Sequence, residues 1–459
     1  MTKQQRLVLV VCILASFVAF LDGSVVNVGL PAIVRDLGGG LAVQQWVVDA
    51  YLITLGSLML VAGSFSDLFG RKKVLAWGLG GFLVTSVLCA IAPASGWLIG
   101  SRALQGVAGA LLVPSSLAFI IGAFSGKAQG RAIGIWTSWT GIAFIVGPLL
   151  GGSLIDLFSW RAIFAINILP IAVAFWLMRG LDQPEQIREK TRIDWLGVVL
   201  GGVGLAGPVY GLIEQPHLGW TDPLILTAII GGALVFAAFL YHEKHSKHPM
   251  LPLTLFRTRN FSVGNIATTS IYAGLSIATF LIVIFLQQIE GYSAISAGIA
   301  LIPATIVMFV LSPRLGSLSS TFGPRIFMAV GPIIAGLGFL YMLRISAPLA
   351  YWTELLPGIL LFGLGLSVTV TPLTSAVLGS IHAEQAGVAS AINNAIARIA
   401  GLVAIAAVGL IVGPTMTLHG FRHGLIATAI LLIIGGVISA IGITNKGIKS
   451  DDDLPNEQK

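Results

Sequence analysis

The stretch GSFSDLFGRKKV, residues 63–74, separates two long apolar runs with glycines, one carboxylate and three consecutive basic residues. A second stretch, GSLSSTFGPRIF, residues 316–327, stands in the same relation to two runs in the other half of the chain. At a constant offset, Gly63, Ser64, Ser66, Phe69 and Gly70 recur as Gly316, Ser317, Ser319, Phe322 and Gly323, five identities in twelve positions. Agreement of that extent at equivalent places implies a duplicated multi-span unit, two halves of parallel topology. Asp67 gives way to Ser320, so only the first half keeps the carboxylate.

The flanking runs read as membrane spans. Of 459 residues, 56 % are hydrophobic and 10 % charged, with a mean hydropathy of +0.93. A soluble domain carries about 25 % charged residues, so this chain lacks the polar surface to cover itself. Its apolar stretches reach about 20 residues, the length of a spanning helix, and lack the alternation of a membrane β-barrel. The first run reads as an uncleaved span, being too long for a signal peptide and without a small-x-small cleavage site. Cys12 and Cys89 both lie in apolar runs, which argues against a disulfide framework. The net charge of +7 is spread over short connections, a pattern of membrane topology and not of nucleic-acid binding.

Fourteen spans are expected, at about 7–31, 46–66, 74–93, 97–121, 132–154, 160–178, 194–213, 224–241, 262–288, 296–315, 325–344, 353–378, 387–412 and 424–443. One set of connections, with both termini, collects 20 of the 26 basic residues, Arg71, Lys72 and Lys73 among them. Basic residues favour the cytoplasm, so both termini are expected there, in a multi-pass protein of the cell (inner or plasma) membrane. Long polar connections at 179–193 and 242–261 divide the chain. The expected parts are a six-helix bundle (1–178), cytoplasmic linkers with an inserted helix pair (179–261), a second six-helix bundle (262–443) and a polar cytoplasmic tail (444–459).

Several motifs then carry a resemblance. Gly63, Asp67, Gly70, Arg71, Lys72 and Lys73 match the loop signature between spans 2 and 3 of the major facilitator superfamily. Glycines let two helix ends approach, and a carboxylate can meet a helix N-terminus. Arg102, Gln105 and Gly106, in LIGSRALQGVAGALLVP, resemble its span 4 signature. Gly141, Gly147, Pro148, Gly151 and Gly152 resemble the span 5 signature of its antiporters, where small residues permit close packing and proline a kink. LDGSVVNVGLP, with Asp22, Val25, Asn27, Leu30 and Pro31, resembles the span 1 signature of drug:proton antiporters. Together with the central extra pair of spans and SWRAIFAINILP (159–170), these make the chain similar to the fourteen-span drug:proton antiporter family over nearly its whole length.

The resemblance implies an all-α major facilitator fold of two six-helix bundles plus two central helices, with a cytoplasmic latch at the 63–73 loop. It implies a proton-driven exporter of amphipathic or cationic drugs and toxic compounds that works by alternating access. Its partners would be protons, a small-molecule substrate and the lipid bilayer, with no cofactor or metal, and a monomer would suffice. A carrier for a specific metabolite or lipid-like substrate is the alternative, and a non-transporting membrane protein a distant third.

Asp22 is the expected site of protonation. It falls in the outer half of span 1, and Arg102 falls in the outer half of span 4. Their depths differ by about four residues, or about 6 Å, so they can pair directly or through water. Burial raises a carboxylate pKa and a nearby arginine lowers it, which leaves room for tuning. Asp49, near the outer end of span 2, is the second candidate. Glu214 and Glu290 read as outer-loop residues. Asn394 and Arg398 share a helix face, expected to look into a substrate cavity or to pair structurally. Asn27 and Tyr51 are further cavity candidates, and Trp136 and Trp139, three apart, are expected to share a wall suited to lipophilic cations or to mark an interface. GAFSGKAQG (122–130) fails the spacing of a phosphate loop, so ATP is not the expected energy source. HEKHSKHP (242–249) reads as a solvated basic linker, not a metal site.

Overall fold

A hydrocarbon environment leaves the backbone only one local way to satisfy itself, the helix, and this chain takes it throughout. The structure is a computed structural model, in which residues 1–181, 193–246, 249–381 and 385–445 are described. The first group of helices is α1 (Lys3–Leu37), α2 (Gly40–Phe69), α3 (Arg71–Ala90), α4 (Ser95–Ala123), α5 (Gly126–Leu157), α6 (Ala162–Ala165) and α7 (Ile168–Met178). A pair follows, α8 (Trp195–Leu218) and α9 (Pro223–His245). The second group is α10 (Arg259–Gln288), α11 (Ala294–Phe322), α12 (Pro324–Tyr341), α13 (Leu356–Leu378), α14 (Ala386–Ala406), α15 (Val408–Val412) and α16 (Leu418–Gly442).

Among the described residues, twelve helices are long and apolar enough to cross a membrane. The 30-residue α2 and the shorter segment Ala162–Met178 occupy the two remaining predicted stretches, so all fourteen are helical. Two predicted spans are interrupted. The stretch 160–178 breaks at Ile166 and Asn167, and 387–412 breaks at Ala407. Of the basic linker, residues 182–192 lie outside the described residues, as do Lys247 and the tail from 446 onward.

The sequence echo has a structural counterpart. Gly70 alone separates α2 from α3, and Gly323 alone separates α11 from α12. Both adopt positive φ, 90° and 83°, a region that side chains rarely tolerate. A one-residue helix reversal therefore needs glycine at both places. Around the first of them, the Lys72 ammonium donates to the Leu181 carbonyl at 2.6 Å. Arg71 packs its guanidinium against Gly122 of α4. The partners of these two residues belong to the first group, while the surroundings of Gly63 and the side chain of Asp67 lie outside the described residues.

The end of the molecule that carries the N-terminus and Arg71 is called here the basic end. The two groups meet at the opposite, far end. There the Gln45 amide donates to the carbonyls of Ile405 and Ala406, 2.6 and 3.0 Å away. Those carbonyls belong to the last turn of α14, where a helix leaves acceptors unused. Gln287 of α10 donates to the Val28 carbonyl of α1 at 2.9 Å. Asp156, in the last turn of α5, accepts from the backbone N–H groups of Ala294 and Ile295 at 3.2 and 3.0 Å. A carboxylate is well placed at the first turn of α11, where unpaired N–H groups and the helix dipole favour negative charge. Of the pair, α8 packs beside this seam, against α2, α14 and α15, and α9 packs on α8.

Candidate functional site

Arg102 is among the most deeply buried large side chains of the protein, at 1 % exposure, and its surroundings explain how the fold tolerates it. One Nη1 donates to Asp22 Oδ2 and to Gln105 Oε1, both at 2.6 Å, and Nε donates to the Val47 carbonyl of α2 at 3.0 Å. The guanidinium lies over the Tyr51 ring, 4.3 Å from its centroid, a favourable seat for a cation. Gly106, one turn along α4, lets α2 come this close. A Cβ there would fall 2.3 Å from the Tyr51 carbonyl oxygen.

Asp22 is satisfied on both oxygens. Oδ2 takes the arginine, and Oδ1 accepts from Gln105 Nε2 at 3.2 Å and Asn167 Nδ2 at 3.1 Å. Ser86 Oγ of α3 accepts from the same two amides, at 2.9 and 3.3 Å. Asp22, Ser86, Arg102, Gln105 and Asn167 are all buried, on α1, α3, α4 and the junction of α6 with α7. A buried ion pair seldom improves on apolar packing, so its presence points to a role other than stability. Asn167→Ala removes one charge-assisted donor from Asp22, and a loss of about 1.5–3 kcal/mol is expected in unfolding followed in detergent. Asn27→Ala should stay within about 0.5 kcal/mol, because among the described residues Asn27 donates only to Gly23 of its own helix, at 3.2 Å.

Asp22 and Arg102 thus pair directly, one of the two expected arrangements, and Tyr51, expected only as a cavity residue, joins them, while Asp49 stands apart. It is fully buried, and neither carboxyl oxygen has a donor among the described residues. Helix periodicity puts Asp49 on the stripe of α2 that holds Gln45 and Gly56, both of which meet α14. The second candidate carboxyl therefore lies on the seam between the two groups, not in the Arg102 network.

Tyr51 also lines a cleft between the groups. The cleft is lined by Phe20, Tyr51, Leu55 and Met59 from the first group and by Asn394 and Arg398 from the second. The Arg398 guanidinium sits 5.7 Å from the centroid of the Phe20 ring. Asn394, one turn away on the same face, is exposed and donates to the Ser390 carbonyl at 3.0 Å.

Other expectations need correction. Trp136 and Trp139 do not form a shared wall: three residues of helix leave them about 60° apart. Trp136 turns into the core of the first group, where it donates to Ser16 Oγ at 3.0 Å, and Trp139 is 52 % exposed. Glu214 is no loop residue but part of α8, where it accepts from Trp46 Nε1 at 2.7 Å. Glu290 does lie beyond α10, accepting from the Leu349 amide at 2.8 Å. His242 is not solvated linker. It belongs to α9 and bonds both oxygens of Asp194, at 2.9 and 2.8 Å. Within the span 5 signature, Gly147 and Gly151 pack on Ser24 and Val25 of α1, and Gly152 packs on Ile295 of α11. The Pro148 carbonyl meets Gly298 of α11, and a Cβ at Gly141 would meet nothing within 4 Å among the described residues.

Asn167 and Ser86 were not singled out from sequence, although Asn167 lies in the quoted motif 159–170. A lone polar residue just after a run of Ile, Phe and Ala was the available signal. Asp156 carried none, since its partners are 138 and 139 residues away.

Comparison with known proteins adds a lineage. The family model described as Major Facilitator Superfamily matches residues 12–405. The chain is 32 % identical over 424 residues to the multidrug resistance protein Stp of Mycobacterium tuberculosis, covering 91 % of this chain and 78 % of that one. It is 33 % identical over 419 residues to the methylenomycin A resistance protein of Bacillus subtilis, covering 89 % and 88 %. It is 31 % identical over 470 residues to the puromycin resistance protein pur8 of Streptomyces alboniger, covering 97 % and 92 %. Among solved structures, the peptide transporter POT in complex with sulfate superposes with a TM-score of 0.71 at 14 % identity, over 96 % of this chain and 94 % of that one. At that identity the likeness concerns the fold alone.

Proposed function

The chain belongs to the major facilitator superfamily, and from that premise we propose that it exports amphipathic drugs and toxic compounds in exchange for protons. The resistance activities in the names of its relatives support the direction and the substrate class. The observation that carries the coupling is the buried Asp22–Arg102 pair, a charge held inside a spanning bundle where charges are rare and functional.

In this reading the parts 1–178 and 262–443 are bundles that rock against each other, and the inserted pair rides on the seam. The basic end faces the cytoplasm, since the termini and connections assigned to that side from sequence carry 20 of the 26 basic residues. The far end, shut by Gln45, Gln287 and Asp156, then faces outward, and substrate enters the cleft from the cytoplasm. Opening the far end wets Asp22 and the seam carboxyl Asp49. A proton taken up on Asp22 releases Arg102 from its ion pair, and loss of that proton to the cytoplasm restores it. Each proton entering along a 100 mV potential contributes about 2.3 kcal/mol to the cycle, and neither ATP nor a cofactor is needed. A monomer contains every part named.

The test is a proteoliposome with an acidic interior, in which export shows as collapse of the pH gradient. A panel of amphipathic antibiotics of either charge is added outside. At least one should dissipate the gradient with protein present and not without it; silence across the whole panel would end the exporter reading. In the same vesicles Asp49→Asn should slow gradient-driven transport several-fold. Because the Asp49 carboxyl has no donor among the described residues, the same change should leave the unfolding midpoint unchanged or raised.

A further inference from the structure

Resting on the exporter reading, we infer that the cleft prefers amphipathic compounds whose polar end is an anion or a strong hydrogen-bond acceptor, held by Arg398. The charges around the cleft point that way. Behind Tyr51, Asp22 and Arg102 neutralise each other through direct contact. Asp49 is buried in the seam, on the stripe of α2 that meets α14 away from the cleft lining. Arg398 is left as the charged group lining the cleft, and among the described residues no carboxylate forms an ion pair with it. Its guanidinium sits beside the Phe20 ring, and Asn394, one turn away on the same face, gives an amide N–H to the Ser390 carbonyl.

A guanidinium inside a span needs a partner, and its planar fork suits carboxylate, sulfonate or paired carbonyl oxygens. The rest of the lining, Phe20, Tyr51, Leu55 and Met59, offers aromatic and flexible apolar surface to a flat body. Because Phe20 and Tyr51 come from one group and Arg398 from the other, a compound seated there bridges both and feels their relative motion.

A matched pair of probes with fixed charge tests the sign: 2-naphthalenesulfonate and a naphthylmethyl-trimethylammonium salt. Neither can carry a proton through the lipid itself. Transport of each into acid-loaded proteoliposomes is measured for the parent, Arg398→Gln and Arg398→Lys. The parent should half-saturate at a lower concentration of the sulfonate than of the ammonium. Arg398→Gln should raise the sulfonate value at least about tenfold and leave the ammonium value unchanged or lower. Arg398→Lys, which keeps the charge, should stay within a few-fold of the parent.

A parent that prefers the ammonium, or an Arg398→Gln variant that loses both probes equally, would overturn the inference. So would a parent that moves neither probe yet exports an antibiotic from the panel. If nothing at all is exported, the exporter reading falls and takes the inference with it, a result plainly different from the other three.

Discussion

Asp22→Asn is expected to reduce gradient-driven export at least about 100-fold, and the double variant Asp22→Asn with Arg102→Gln will show why. The single change keeps the shape of the side chain, and an amide oxygen can still accept from Arg102. What it removes is the negative charge opposite a guanidinium that is 1 % exposed. Stranding one member of a buried pair costs about 3–5 kcal/mol, so the single variant should also unfold at lower temperature. Replacing both members by neutral groups of similar size removes the stranded charge, and most of that stability should return. Transport should not return, because the coupling carboxyl at Asp22 is gone and Asp49 on the seam does not take its place. The comparison separates the two roles that a single substitution confounds. Recovery of stability without export assigns the proton to Asp22. Recovery of both would make the pair a structural device and leave the coupling to Asp49 on the seam.

The sequence made some of this visible and hid the rest for reasons that are physical. Spans are legible because hydrocarbon demands long apolar helices, and every predicted stretch proved helical. The reversals at Gly70 and Gly323 are legible because a positive φ calls for one residue type and so leaves a mark in two places. The Asp22–Arg102 contact was within reach of counting residues along opposed helices, which gave about 6 Å of depth difference. Counting cannot give rotation about the helix axis, and that is where the reading of Trp136 and Trp139 failed. Nor can a hydropathy window see a two-residue break. Asn167 reaches Asp22 because α6 ends just before it, yet 160–178 reads as one continuous span. The far-end seam is the least legible part, since Asp156 and Gln45 bond backbone atoms, which carry no side-chain signature.

That seam supplies the other large effect, through two glycines of one motif that should behave in opposite ways. Gly152→Leu is expected to cut export at least about tenfold, and Gly141→Leu to leave it within about twofold of the parent. A Cβ at Gly152 would lie 2.4 Å from Ile295 Cα and 2.6 Å from its N, both backbone atoms that no rotamer change moves aside. The end of α5 must then stand away from α11, and Asp156 loses the N–H groups of Ala294 and Ile295. At Gly141 the same atom would meet nothing within 4 Å among the described residues. If the two groups move as bodies, separation at α5–α11 also parts α1 from α10, where Gln287 is 7 % exposed. A cysteine placed by Gln287→Cys reports this, since the native Cys12 and Cys89 are fully buried and stay silent. In the Gly152→Leu background, a membrane-impermeant maleimide added outside should label that cysteine at least about tenfold faster than in the parent or with Gly141→Leu. Unchanged labelling alongside lost export would mean that α5 bends locally at Pro148 to absorb the added side chain. The far end would then close helix by helix, and the rocking of two rigid bundles would have to be given up.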